Sequence, residues 1–96
     1  MALARVVSFE GVSKARAEEM EREMREGGRP DEIPATEVVM LHDPDAERSL
    51  VVLFFDSEED YARADEFLSA MPTDETPGRR TAVDKYDVVV RLRDEA

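Results

Sequence analysis

Four residue types are missing from this chain: cysteine, tryptophan, asparagine and glutamine. Lacking cysteine, it has no disulfide, thiolate metal site, covalent haem attachment or thiol nucleophile. Long apolar runs are missing too. The longest, Leu50 to Phe55, has six residues, against the roughly 20 that a membrane-spanning helix needs. Strand-like sequence begins at Leu3, so no signal peptide is expected and a cytoplasmic location is the simplest expectation. Positive charge is scarce: 13 Lys and Arg face 24 Asp and Glu, for a net charge of −11. Such a surface repels phosphate backbones, and no basic stripe with interleaved aromatics offsets it. Neither nucleic acid nor membrane is expected as a partner, and neither a metal nor a cofactor is expected.

What is present reads as one domain over residues 1–96, with 42% hydrophobic residues, ordinary for a globular chain. Leu3 to Glu10 reads as a first strand closed by Gly11, with Val6, Val7 and Phe9 favouring extended backbone. Ser13 is a plausible N-cap for a helix to about Glu26, whose apolar stripe of Ala17, Met20 and Met24 is narrow. Lys14 and Arg16 at its start and Glu26 at its end oppose the helix dipole, so packing must hold it. Gly27-Gly28 ends it, and Pro30 and Pro34 stiffen the following loop.

Thr36 to His42 reads as a second strand, Asp43-Pro44-Asp45 as a turn, and Arg48 to Phe55 as a third strand in a hairpin with the second. Ser57 with Glu58, Glu59 and Asp60 then caps a second helix, with Tyr61, Ala64, Leu68 and Met71 on one face and an end at Pro72. After a turn-rich stretch, Tyr86, Val88, Val90 and Leu92 alternate with Lys85, Asp87 and Arg91 in a last strand from about Thr81 to Arg93.

This βαββαβ order predicts an α+β fold of ferredoxin-like type: a four-stranded antiparallel sheet with two helices on one face and strands one and three in the middle. A sheet covered on one side alone should alternate apolar and polar residues. Strand three does not: Leu50, Val52 and Phe54 point one way while Val51, Leu53 and Phe55 point the other. Sequence does not say which row lies under the helices. The other needs a cover, and the usual one is an identical subunit, so a homodimer through the sheet face is expected.

The element order, the chain length and the phrase Phe54-Phe55-Asp56-Ser57-Glu58-Glu59-Asp60-Tyr61 entering the second helix resemble the dimeric α/β barrel superfamily. Within it, the chain is most similar to antibiotic-biosynthesis-monooxygenase-like domains, and the terminal Tyr86-Asp87-Val88 strand fits as well. The resemblance covers the whole chain and is one of architecture. It implies two sheets packed face to face into a barrel, with a ligand cleft between each sheet and its own helices. Members include cofactor-free oxygenases of polycyclic aromatics, haem-degrading enzymes and muconolactone isomerases. The Asn and Trp on which the oxygenases and haem degraders rely have no counterpart in this chain.

Candidate chemistry is sparse. His42, the only histidine, is followed by Asp43 and Asp45. A His42–Asp43 pair is a candidate general base, a role that a related lactone-isomerase or dehydratase-like subgroup implies for a similar pair; the plainer reading is a solvated strand-end histidine beside ordinary turn formers. Arg5, mid-strand among apolar residues, is a candidate ligand for a carboxylate or, more simply, half of a cross-strand ion pair with Asp87. Tyr61 and Tyr86 are candidates to line a sheet–helix cleft or to serve as half-buried aromatics. Thr76 to Thr81, with Gly78, Arg79 and Arg80, is a basic turn able to receive an anion, but no helix start follows it, which excludes a Walker-type loop. The acidic face from Glu18 to Glu26 lacks calcium-loop geometry and reads as solvated, and Met20, Met24 and Met71 read as core.

The function expected from these readings is a homodimeric domain binding a small apolar, aromatic or lactone-like molecule. The rivals are a cofactor-free monooxygenase, isomerase or dehydratase-like enzyme using His42 and a nearby carboxylate for proton transfer, and a purely structural dimeric module.

Overall fold

A computed structural model describes residues 2–28, 33–70 and 78–92. The expectations for Pro30, Met71, Pro72, Thr76, Pro77 and Arg93 lie outside the described residues. The elements follow in the order β1 (Leu3–Glu10), α1 (Lys14–Gly27), β2 (Glu37–Asp43), β3 (Arg48–Phe55), α2 (Glu58–Ser69) and β4 (Arg79–Asp87). Together they make an α+β fold with one four-stranded antiparallel sheet in the order β2-β3-β1-β4. The two most apolar strands, β1 and β3, are the inner pair, where both edges are hydrogen-bonded and both faces can be covered.

Local chemistry sets the boundaries. Ser13 Oγ accepts from the Arg16 N–H and Ser57 Oγ from the Asp60 N–H, each at 3.1 Å, so both helices start on a satisfied donor. Gly28 at φ 67° ends α1 and sends its N–H to Met24 O at 3.1 Å. Between β2 and β3, Asp43 Oδ1 accepts from the Asp45 and Ala46 N–H groups at 3.1 and 3.2 Å, and Glu47 takes φ 52° to bring the chain back. At the start of β4 the chain presses on the end of β1: a Cβ on Gly78 would stand 2.5 Å from Glu10 O, which leaves room for glycine alone.

The register decides which row of each strand meets the helices. Leu3, Arg5, Val7 and Phe9 share a face with Val51, Leu53 and Phe55. Tyr61 and Ala64 of α2 are buried against Leu3, Leu53 and Phe55, while Ala17 of α1 packs on Val7, Phe9 and Val12. The opposite face carries Val6, Val52, Phe54, Leu41 and Leu50, with Leu41 51% and Leu50 37% exposed. Strand three is therefore apolar on both sides because one side is core and the other is open sheet.

The last strand departs from expectation. It starts two residues early, at Arg79, and ends at Asp87 although the alternation runs on to Leu92. Asp87 pairs with Leu3, the first residue of β1, so beyond it there is almost no partner backbone. After one further bond, Val88 N–H to Ala2 O at 2.9 Å, the chain leaves the ladder. Arg91 then lies over the Phe54 ring, 4.0 Å from its centroid, and pairs with Glu37 at 3.5 Å.

Candidate functional site

The two helices do not sit on the sheet equally. α2 buries Tyr61 and Ala64, whereas α1 buries none of its residues. Its stripe is too narrow and its outer residues too charged to settle onto a wide apolar floor, and Ala17 near its start is its main anchor. A cleft of about 1360 Å³ remains, floored by Val7, Phe9, Met40, Val51 and Leu53, roofed by Met20 and Met24, and closed at one side by Phe67 and Leu68 of α2. Concave, mainly apolar spaces with a few polar groups are the usual form of small-molecule sites.

Arg5 lines this cleft and is 2% exposed. Its Nε–H donates to Asp65 Oδ1 at 2.9 Å, and its Nη2 is buried with no partner among the described residues. The expected cross-strand partner, Asp87, does not pair with it: in the β1–β4 ladder Lys85 stands opposite Arg5, and Asp87 stands opposite Leu3. The carboxylate comes from the helix above instead.

His42 also lines the cleft, from β2. Its Nδ1 is 2.7 Å from the Oγ of Ser49, its direct cross-strand neighbour, and its Nε2 is buried with no partner among the described residues. The histidine is thus not the solvated strand-end residue that its neighbouring turn suggests. Nor does it pair with Asp43. Consecutive strand residues face opposite sides of a sheet, and Asp43 is engaged with backbone N–H groups of the turn and, at 3.8 Å, with Arg48. The partner of His42 is the hydroxyl of Ser49, itself 2% exposed. The one signal for it in sequence was the hairpin register, which places Ser49 across from His42.

The tyrosines divide between other places. Tyr61 is buried beside the cleft rather than lining it, edge-on to Phe55 with ring centroids 5.5 Å apart and with Lys85 Nζ 5.0 Å above its ring. Burial raises its hydroxyl pKa above the ordinary value; the Asp65 charge adds to the rise, while Arg5 and Lys85 pull against it. Tyr86 stands opposite Ala4 on the open face, 55% exposed, away from the cleft. Of the basic turn, Arg79 is paired with Glu10 at 3.3 Å and Arg80 reaches the cleft rim.

A second hollow of about 580 Å³ lies at the hairpin end of the sheet, among Ser8, Glu10, Leu41, Asp43, Arg48 and Thr81. Among the described residues, no three His, Asp or Glu side chains converge to hold a metal ion, and no helix is long and apolar enough to cross a membrane. No protein-family model matches the chain, and no curated protein matches it in sequence.

Proposed function

We propose that the chain is a ferredoxin-like domain of the dimeric α/β barrel type that binds a small, largely apolar molecule in the cleft between α1 and the sheet. The cleft carries the reading: a wide apolar space inside a small domain, with buried Arg5 and the buried Nε2 of half-buried His42 among its polar groups. The apolar open face supports the homodimer. Leu41 and Leu50 lie there, and Val89, Val90 and Leu92 beyond β4 are each more than two-thirds exposed. A second copy packed sheet to sheet would remove much of this surface from water, and a stable interface buries about 1,200–2,000 Å² in total.

Two measurements test the proposal. Titrating 1-decanol into protein labelled at the methionine methyls should shift the Met20, Met24 and Met40 resonances in a saturable way, since these side chains line the cleft. Absence of saturable shifts defeats the ligand reading. Light scattering should give twice the chain mass at micromolar concentration; a monodisperse folded monomer defeats the dimer. Val52→Asp, on the open face, should weaken association, whereas Leu53→Asp, under the helices and 5% exposed, should unfold the domain.

A second reading, proton transfer by His42, draws support from its place on the cleft wall with Nε2 unpartnered. The group that would orient its ring is Ser49, in place of a carboxylate.

A further inference from the structure

A buried guanidinium is stable only when its N–H groups are received by acceptors. In Arg5 that requirement is met unevenly. The Arg5 side chain is 3% exposed, but Asp65, its one ionic partner among the described residues, is 43% exposed and accepts from Nε. Water screens much of the Asp65 charge, and Nη2 is left buried without an acceptor among the described residues. Around it the cleft floor is hydrocarbon: Val7, Met40, Val51 and Leu53.

Resting on the reading of the cleft as a small-molecule site, we propose that its ligand is an amphipathic carboxylate, with the apolar body on this floor and the carboxylate received by Nη2 of Arg5. A charge-assisted bond from a guanidinium N–H in a desolvated place is stronger than one to a neutral carbonyl. Rim charges lean only slightly acidic, since Lys14, Arg25 and Arg80 stand against Glu18, Glu21, Glu23 and Glu37. The net charge of −11 disfavours an approaching anion, but beyond a Debye length of about 8 Å at physiological salt that repulsion is largely screened. The contact at Arg5 therefore governs. His42 stands four residues further along the strands and two strands across, its backbone about 16 Å away at strand rise and spacing, so the carboxylate meets Arg5 alone.

The test uses the full chain with decanoate, 1-decanol and δ-decalactone at neutral pH, read by calorimetry and by the methyl resonances of Met20, Met24 and Met40. Decanoate should bind at least roughly tenfold more tightly than either neutral probe. In Arg5→Met that advantage, taken against decanol measured in the same variant, should vanish. Equal affinity for decanoate and the neutral probes, or an advantage retained in Arg5→Met, overturns the carboxylate assignment and leaves the cleft reading standing. Failure of all three probes to bind defeats both. Should Arg5→Met not fold, the wild-type ranking of the three probes decides alone.

Discussion

The two helices lie on the same sheet face, yet the larger buried cluster lies under α2, while the α1 side has the smaller cluster of Val7, Phe9 and Val12 beside the cleft. α2 begins with three acids in its first turn, where the dipole favours them, and seats Tyr61 and Ala64 over Leu3, Leu53 and Phe55. α1 begins with no acid, carries a narrow stripe of Ala and Met, and buries nothing. A helix of low intrinsic stability that is weakly packed is also one that can stand off the sheet. The difference shows how a domain of this size can have both a core and an opening: one helix buries side chains of its own in the core, while the other rests on it mainly through Ala17.

Truncation tests that contrast most directly. Phe55 is fully buried and meets Tyr61 edge-on, so Phe55→Ala should cost about 3–5 kcal/mol in denaturant unfolding. Met24→Ala, on the half-buried stripe of α1, should cost less than about 1 kcal/mol, and similar losses at the two sites would refute the division. Removing the caps probes the same contrast more finely. Ser57→Ala should lower global stability by about 1 kcal/mol. Ser13→Ala should appear mainly as faster amide exchange within α1, because that helix is weakly coupled to the sheet.

The smallest effect is on pH dependence, and it belongs to the α2 side alone. The hydroxyl of Tyr61 is held above its ordinary pKa of 10.0, first by burial and then by Asp65. The folded state thus keeps a proton that the unfolded chain begins to lose. That stabilisation is intact below about pH 10 and is lost as the pH rises through the folded value. Lys85, raised first by its hydrogen bond to Glu58, slopes the same way. The unfolding midpoint should therefore fall between about pH 9 and pH 11, and less steeply in Tyr61→Phe.

Much of the frame was legible because local rules decide it. Val6, Val7 and Phe9 mark β1, the run from Leu50 to Phe55 marks β3, and Ser13 and Ser57 mark the helix starts, all without knowledge of neighbours. The errors arise where a neighbour decides. The apolar alternation past Asp87 looks like strand, but β1 supplies no partner there. Asp43 is adjacent to His42 in sequence and yet faces the other side, while Ser49, seven residues away, is the one that touches it. Arg5 takes its acceptor from a helix 60 residues on, a distance at which strand patterns carry no information. The narrow stripe of α1 hinted at weak packing, but the size of the cleft is a tertiary property that no local pattern carries.

The pairing of β1 has a consequence for how the chain is made. Its two ladder partners are β3 and β4, and Leu3 meets its second partner only at Asp87. During synthesis β1 emerges before β3 and β4 and waits for both, carrying Leu3, Val6, Val7 and Phe9 with both edges open. Such non-local pairing slows folding, and an unpaired apolar strand invites association between nascent chains. Arg5 within that strand and Glu10 at its end then act as gatekeepers: charges that disfavour strand-to-strand stacking until β3 and β4 arrive.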